Sequence, residues 1–166
     1  MKNFLVAVAI FASSIISAQQ EITVDLADAL AMKTLEVSYE YYLSDQSSVG
    51  ISGLFNFEGR SSDFRYNEDN MITPYFRHYF TSSRNWNYFG EIFLGINSGK
   101  EEIELDGAPN VYENYTDGAL GVAIGTKYIS NGGFVVSVLG GIGRNMFTDK
   151  SPVVVPRVGL NLGYRF

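Results

Sequence analysis

Six charged residues stand in alternation with apolar ones. They are Glu36 and Glu40 in LEVSYEYYL (35–43), Arg77 in MITPYFRHYF (71–80), Glu91 in WNYFGEIFLGIN (86–97), Lys127 in GALGVAIGTKY (118–128) and Arg157 in VVVPRVGLNLGYRF (153–166). Carboxylates and cations on one face of a closed sheet are expected to form ion pairs, since burying each unpaired costs several kcal/mol. With Asn56, Asn97 and Asn161 on the same face, two uses are open: an ion path, or a packed polar plug. The interior of a small barrel is just wide enough for side chains to fill, which favours the plug.

Other chemistry is poorly supplied. A lipid-hydrolysing barrel needs a histidine with a serine and an acid near the long-loop end. The single histidine, His78, falls on the apolar parity beside a short turn, so no catalytic residue is assigned and no enzyme is expected. One histidine and no cysteine exclude the usual transition-metal ligand sets, and no metal or cofactor is expected. KEEIELDG (100–107) could attract a divalent cation, but its carboxylates lack a fixed loop spacing and read as a solvated loop. LGGIGR (139–144) has the look of a phosphate loop without the helix that would follow one. A net charge of −6 leaves no basic footprint for nucleic acid.

The elements that must position these groups have a period of two. Eight segments alternate: 21–30, 35–43, 49–58, 71–80, 86–97, 118–128, 133–144 and 153–166. In the last, Pro156, Val158, Leu160, Leu162, Tyr164 and Phe166 oppose Arg157, Gly159, Asn161, Gly163 and Arg165. Pro74 donates no ladder bond, which predicts a bulge or distortion in the fourth strand. The connections alternate as well. DQSS, TSSRN and ISNGG are tight hairpins, whereas 59–70, 98–117 and 145–152 are long, and only the first connection, around AMKT, departs by being short.

Aromatic residues on the apolar face gather beside the short turns: Tyr41, Phe80, Trp86, Tyr88, Tyr128, Phe134, Tyr164 and Phe166. That is the placement of an interfacial girdle. An all-β fold follows, an eight-stranded antiparallel up-and-down transmembrane β-barrel, with lipid outside and a polar interior. A soluble eight-stranded barrel has the opposite arrangement, a greasy lumen.

Residues 1–18 carry Lys2, an apolar stretch from Phe4 to Ile16 and small residues ending at Ala18, the layout of a cleaved secretory signal. Removing 18 of 166 residues leaves one domain, 19–166, and with Lys2 gone the charge moves from −6 to −7. The expected location is the bacterial outer membrane. Without cysteines no disulfide holds the exported domain, and a closed hydrogen-bonded sheet is the alternative.

The stretches LEVSYEYYLSDQSSVGISGLF, PYFRHYF and VGLNLGYRF resemble the small outer-membrane barrels of the OmpX and OmpA-barrel type, and in particular a barrel family common in Bacteroidota. In such barrels the resemblance implies that Leu160, Leu162, Tyr164 and Phe166 form the signal read by the barrel assembly machinery. The short first connection, Pro74 and Pro156 depart from the family's regularity. The expected role is non-enzymatic, structural or in surface interaction, with outer-membrane lipid around the wall and a surface ligand or host partner at loops 59–70 and 98–117. A narrow channel and a soluble periplasmic ligand-binding barrel are the alternatives.

Overall fold

The computed structural model describes residues 19–31, 33–57, 68–81, 85–103 and 111–166. Eight strands form a closed barrel in chain order: β1 Gln20–Asp25, β2 Thr34–Ser44, β3 Ser47–Asn56, β4 Glu68–Tyr79, β5 Trp86–Ile103, β6 Val111–Ile129, β7 Phe134–Asn145 and β8 Val154–Arg165. One helix, α1 Leu26–Ala31, lies between β1 and β2. Every neighbouring pair is antiparallel, including β1 with β8.

The registers fix the barrel's geometry. Glu21 is opposite Glu40, and the ladder continues through Gly50, Tyr75, Phe93, Gly121 and Gly143 to Val155 on β8. Yet Glu21 itself pairs with Arg165 of β8, so one circuit displaces the chain by 165 − 155 = 10 residues. That stagger is the shear of a tilted barrel, and with eight strands it leaves an interior that side chains can fill.

Burial alternates with the pleat, but in the sense opposite to a soluble barrel. Ile124 is 72% exposed while Lys127, on the same strand, is 0% exposed. The outer wall is formed by residues such as Ile51, Ile72, Ile92, Leu94, Ile96, Val122, Val138, Ile142 and Val158, all exposed. A continuous apolar band of this kind suits hydrocarbon as solvent. Most strands have 10 to 12 residues, the length that crosses a bilayer at a tilt.

Turns and loops sit at opposite ends. β2 and β3 are joined through Asp45 and Gln46, and Ser130–Gly133 closes a turn in which the Gly133 N–H donates to Ser130 O at 3.0 Å. Gly133 has φ +86°, and a Cβ there would meet Arg165 O at 2.5 Å, so only glycine fits. Both chain ends of the barrel lie here: Gln20 and Phe166 exchange backbone hydrogen bonds of 3.1 and 2.9 Å. At the other end Asp117 organises the β7–β8 loop. Its carboxylate accepts from the Phe147 and Thr148 N–H groups at 2.9 and 3.2 Å and from the Ser151 hydroxyl.

Three expectations need correcting. The strand expected at 21–30 stops at Asp25, and 26–31 is helical. The loop expected at 98–117 is mostly strand, because β5 runs on to Ile103 and β6 begins at Val111. The loop expected at 59–70 gives Glu68–Asn70 to β4, and 59–67, like 1–18 and 104–110, lies outside the described residues. At Pro74 the expected distortion is an interrupted ladder without a bulge: the β4–β5 register is the same at Ile72↔Ile96 and Tyr75↔Phe93, and the two rungs between them are missing. The register shift in β4 lies between Glu68 and Asn70.

Candidate functional site

The pleat sends every second residue inward, and the shear decides which of them meet. Lys127 on β6 reaches Glu21 Oε1 at 2.6 Å and Glu40 Oε2 at 2.8 Å. Arg77 on β4 joins the same Glu40 Oε2 at 2.6 Å through Nη1 and Glu91 Oε2 at 2.6 Å through Nε. Arg157 on β8 takes the other oxygen of Glu91 at 2.7 Å and reaches Glu36 at 3.2 Å. At the turn end Arg165 reaches Glu21 at 3.1 Å.

The result is one chain of alternating sign: Arg165, Glu21, Lys127, Glu40, Arg77, Glu91, Arg157, Glu36. Four cations face four carboxylates, so the ladder is neutral as a whole. All six residues singled out above lie inside and in this ladder, while Glu21 and Arg165 complete it. Both completing residues share the inward parity of their strands, but Glu21 stands near the start of a short strand and Arg165 next to the last residue. Nothing in the one-dimensional pattern indicates that they are register partners on the adjoining strands β1 and β8.

Neutral donors and rings finish the coordination. Glu40 Oε1 accepts from the Ser48 hydroxyl at 2.6 Å and the Tyr79 hydroxyl at 2.5 Å. Lys127 also donates to the Tyr42 hydroxyl at 3.0 Å. The Arg77 guanidinium sits 4.5 Å from the ring centroids of both Tyr75 and Phe89, and Arg157 lies 5.2 Å from Phe93. Charge-assisted bonds of this length and cation–π contacts replace much of the hydration that burial removes.

The interior is polar, as expected, but it also holds large apolar side chains. Phe89 and Phe93 are each 1% exposed, and Tyr79, Leu54, Met71, Leu139 and Val155 are buried with them. Each ring has a slot. Phe93 is opposite Gly121, Phe89 opposite Gly125 and Tyr75 opposite Gly50. A Cβ on Gly121 would lie 2.2 Å from the Phe93 ring. Gly121→Val is expected to lower barrel stability in urea titrations by about 1–3 kcal/mol, the cost of overpacking, and Phe93→Leu in the same chain to recover part of it.

Asn97 and Asn145 bond each other at 2.8 Å, Asn161 is buried, and Asn56 is half-buried, donating to Glu68 O at 3.1 Å. His78 faces outward beside Phe80, 5.6 Å between ring centroids, with no part in the ladder. The aromatics Phe80, Trp86, Tyr88, Phe134, Tyr164 and Phe166 are exposed on the outer wall at the turn end, with Tyr41 and Tyr128 half-buried among them. Trp86 and Tyr128 form an edge-to-face pair at 5.4 Å. The outward course of β8 carries Leu160, Leu162, Tyr164 and Phe166. Two interior cavities among the described residues are small. One beside Glu36, Leu54, Glu68 and Arg157 and one beside Asp25, Ser38 and Asn161 each hold about 10 Å³, roughly a single water.

The chain superposes on solved eight-stranded barrels over nearly its whole length. The N-terminal β-barrel domain of Pseudomonas aeruginosa OprF matches with a TM-score of 0.57 at 15% identity, covering 90% of this chain and 96% of that one. Its fold is that of the small outer-membrane β-barrels. Neisserial surface protein A matches with a TM-score of 0.50 at 15% identity, over 89% and 94% of the two chains. Ail of Yersinia pestis, solved in complex with the heparin analogue sucrose octasulfate, matches with a TM-score of 0.51 at 14% identity, over 90% and 99%. No family model and no curated protein matches the chain. The likeness to a Bacteroidota family rests on the sequence stretches alone.

Proposed function

We propose that the protein is a non-enzymatic integral barrel of the bacterial outer membrane whose interior is a packed plug built on a charge-balanced ladder and whose loop end serves the cell surface. The observation that carries this reading is the balanced ladder: each of its carboxylates faces a cation, the rings fill the space between, and the two cavities beside it among the described residues each admit about one water. A conducting pore needs a continuous wet path and mobile counter-ions. The apolar outer wall supports membrane insertion with lipid as the partner, and the turn-end aromatics support a girdle at the periplasmic interface. Both termini and the short turns then face the periplasm, after export by the segment 1–18.

At the loop end the fitting role is structural or adhesive, through the hairpin of β5 and β6 and the segment between β3 and β4. Ail was captured with a sulfated polyanion, but the corresponding reading does not carry over. Residues 100–106 here hold Glu101, Glu102, Glu104 and Asp106 against Lys100, so a cationic or neutral surface partner fits better.

Planar-bilayer recording of the purified barrel separates plug from pore. The expected trace has no unitary steps, with insertion checked by a band that shifts on boiling. Regular steps of one amplitude would replace this reading with the narrow channel. A protein recovered from the soluble periplasm without a boiling shift would overturn the membrane assignment itself.

A further inference from the structure

The wall is not built of paired strands all the way round. β1 ends at Asp25, and its ladders reach only Asn161–Arg165 of β8 and Val37–Tyr41 of β2. Among the described residues, Val154–Leu160 of β8 and Thr34–Glu36 of β2 have no strand partner on that side. The gap is filled by α1, which packs against β8 and β2. A helix bonds its own backbone and cannot serve a strand edge as a neighbouring strand does. Pro156 sits in this stretch, as proline does on an edge.

The seam has apolar lips, a tie behind it and a small cavity beside it. Leu35 on one side and Val158 and Leu160 on the other face outward and are exposed. Behind them the Arg157–Glu36 ion pair, 3.2 Å, links the two strands from inside. The adjoining cavity is lined both by outward-facing Pro156 and Val158 and by inward-facing Leu54 and Glu68. Glu68 is 4% exposed, turned inward by the register shift beside it, and its Oε1 has no hydrogen-bond partner.

We infer that this seam is a lateral portal from the surrounding lipid into the loop-end half of the interior, shut by α1 and the Glu36–Arg157 pair, and that it admits a single-chain amphiphile. The lips take the alkyl chain, and Glu68 Oε1 accepts a hydrogen bond from a hydroxyl or ammonium head. With room for about one water when shut, the cavity admits a chain only as α1 moves aside.

The chain has no cysteine, so one introduced thiol reads the route. Leu54→Cys, with Met71→Cys opposite it as a second reporter of the same cavity, is treated in lipid vesicles with N-dodecylmaleimide or with a charged, water-soluble maleimide. Ser137→Cys, 2% exposed in the turn-end half, is the control. Folding of each is confirmed by the boiling shift. The alkyl reagent is expected to label the cavity thiol faster than the charged one, Glu36→Gln to raise that rate roughly tenfold by removing the tie, and the control to stay unlabelled. Dodecanol is expected to slow the labelling, and dodecane to have no effect.

Inert cavity thiols in both backgrounds, or equal labelling of the control, would overturn the portal. Equal labelling by the charged reagent would place the route at the loop mouth instead of the wall. Equal protection by dodecanol and dodecane would remove Glu68 as the head site.

Discussion

Lys127→Met is expected to cost the barrel about 3–5 kcal/mol, the usual result of deleting one partner of a buried ion pair. Lys127 is 0% exposed and joins two carboxylates, Glu21 and Glu40, that lie on different strands. Methionine keeps much of the volume and removes the charge, leaving three cations against four carboxylates in the ladder. Arg77 still serves Glu40 and Arg165 still serves Glu21, so the excess charge is spread, and the chain is expected to fold with a weakened transition in urea.

Two companion variants make the origin of the loss measurable. Arg165→Met, at the open rim, removes a cation from the same ladder where water reaches it, and is expected to cost roughly 1 kcal/mol. Lys127→Met combined with Glu21→Gln restores the balance of the ladder and is expected to recover at least half of the loss, a coupling that a mutant cycle reads directly. Transitions for Lys127→Met that coincide with the parent's would show that the ladder is not what holds the interior together. An unrecovered double variant would assign the loss to packing around the lysine stem.

Parity along each strand makes much of this interior legible from the sequence. In a barrel the side-chain period is two, so Arg77, Glu91 and Lys127 are inside as soon as Phe76, Ile92 and Tyr128 are outside. Partnership is a different matter, because it depends on register and shear. Glu21 and Lys127 are 106 residues apart, and no local pattern brings them together. The rings are hidden for a related reason. Phe89 and Phe93 have inward parity, but an inward phenylalanine makes sense only beside its slot, and Gly125 and Gly121 become neighbours only in the folded register.

The misread elements have local causes. LADALA offers both a strand-like alternation and Leu26 and Leu30 at helical spacing, and its alanines and leucines are strong helix formers. The outer parts of β5 and β6 look like loop because a hairpin above the lipid needs no apolar face. SGKEEIELDGAPNVYENYTD is largely polar and still pairs to Ile103 and Val111. Glu68 is out of reach of a parity argument since a register shift reverses its direction.

Deletion of Phe166 is expected to reduce the assembled barrel in a Gram-negative host severalfold while leaving refolding in detergent nearly intact. Within the fold, the last residue contributes an exposed ring on the outer wall and one exchange of backbone hydrogen bonds with Gln20. Net contributions of such bonds are about 1 kcal/mol each, too little to unfold a barrel closed along every other strand. A large loss in cells with a small loss in vitro therefore separates recognition of Leu160, Leu162, Tyr164 and Phe166 during assembly from simple stability. Asp149→Ala, an exposed change at the loop end, serves as the comparison and should assemble as the parent does. If the truncated chain fails equally in both settings, the terminal aromatic is structural. If it assembles fully in cells, the outward residues of β8 face lipid and carry no signal.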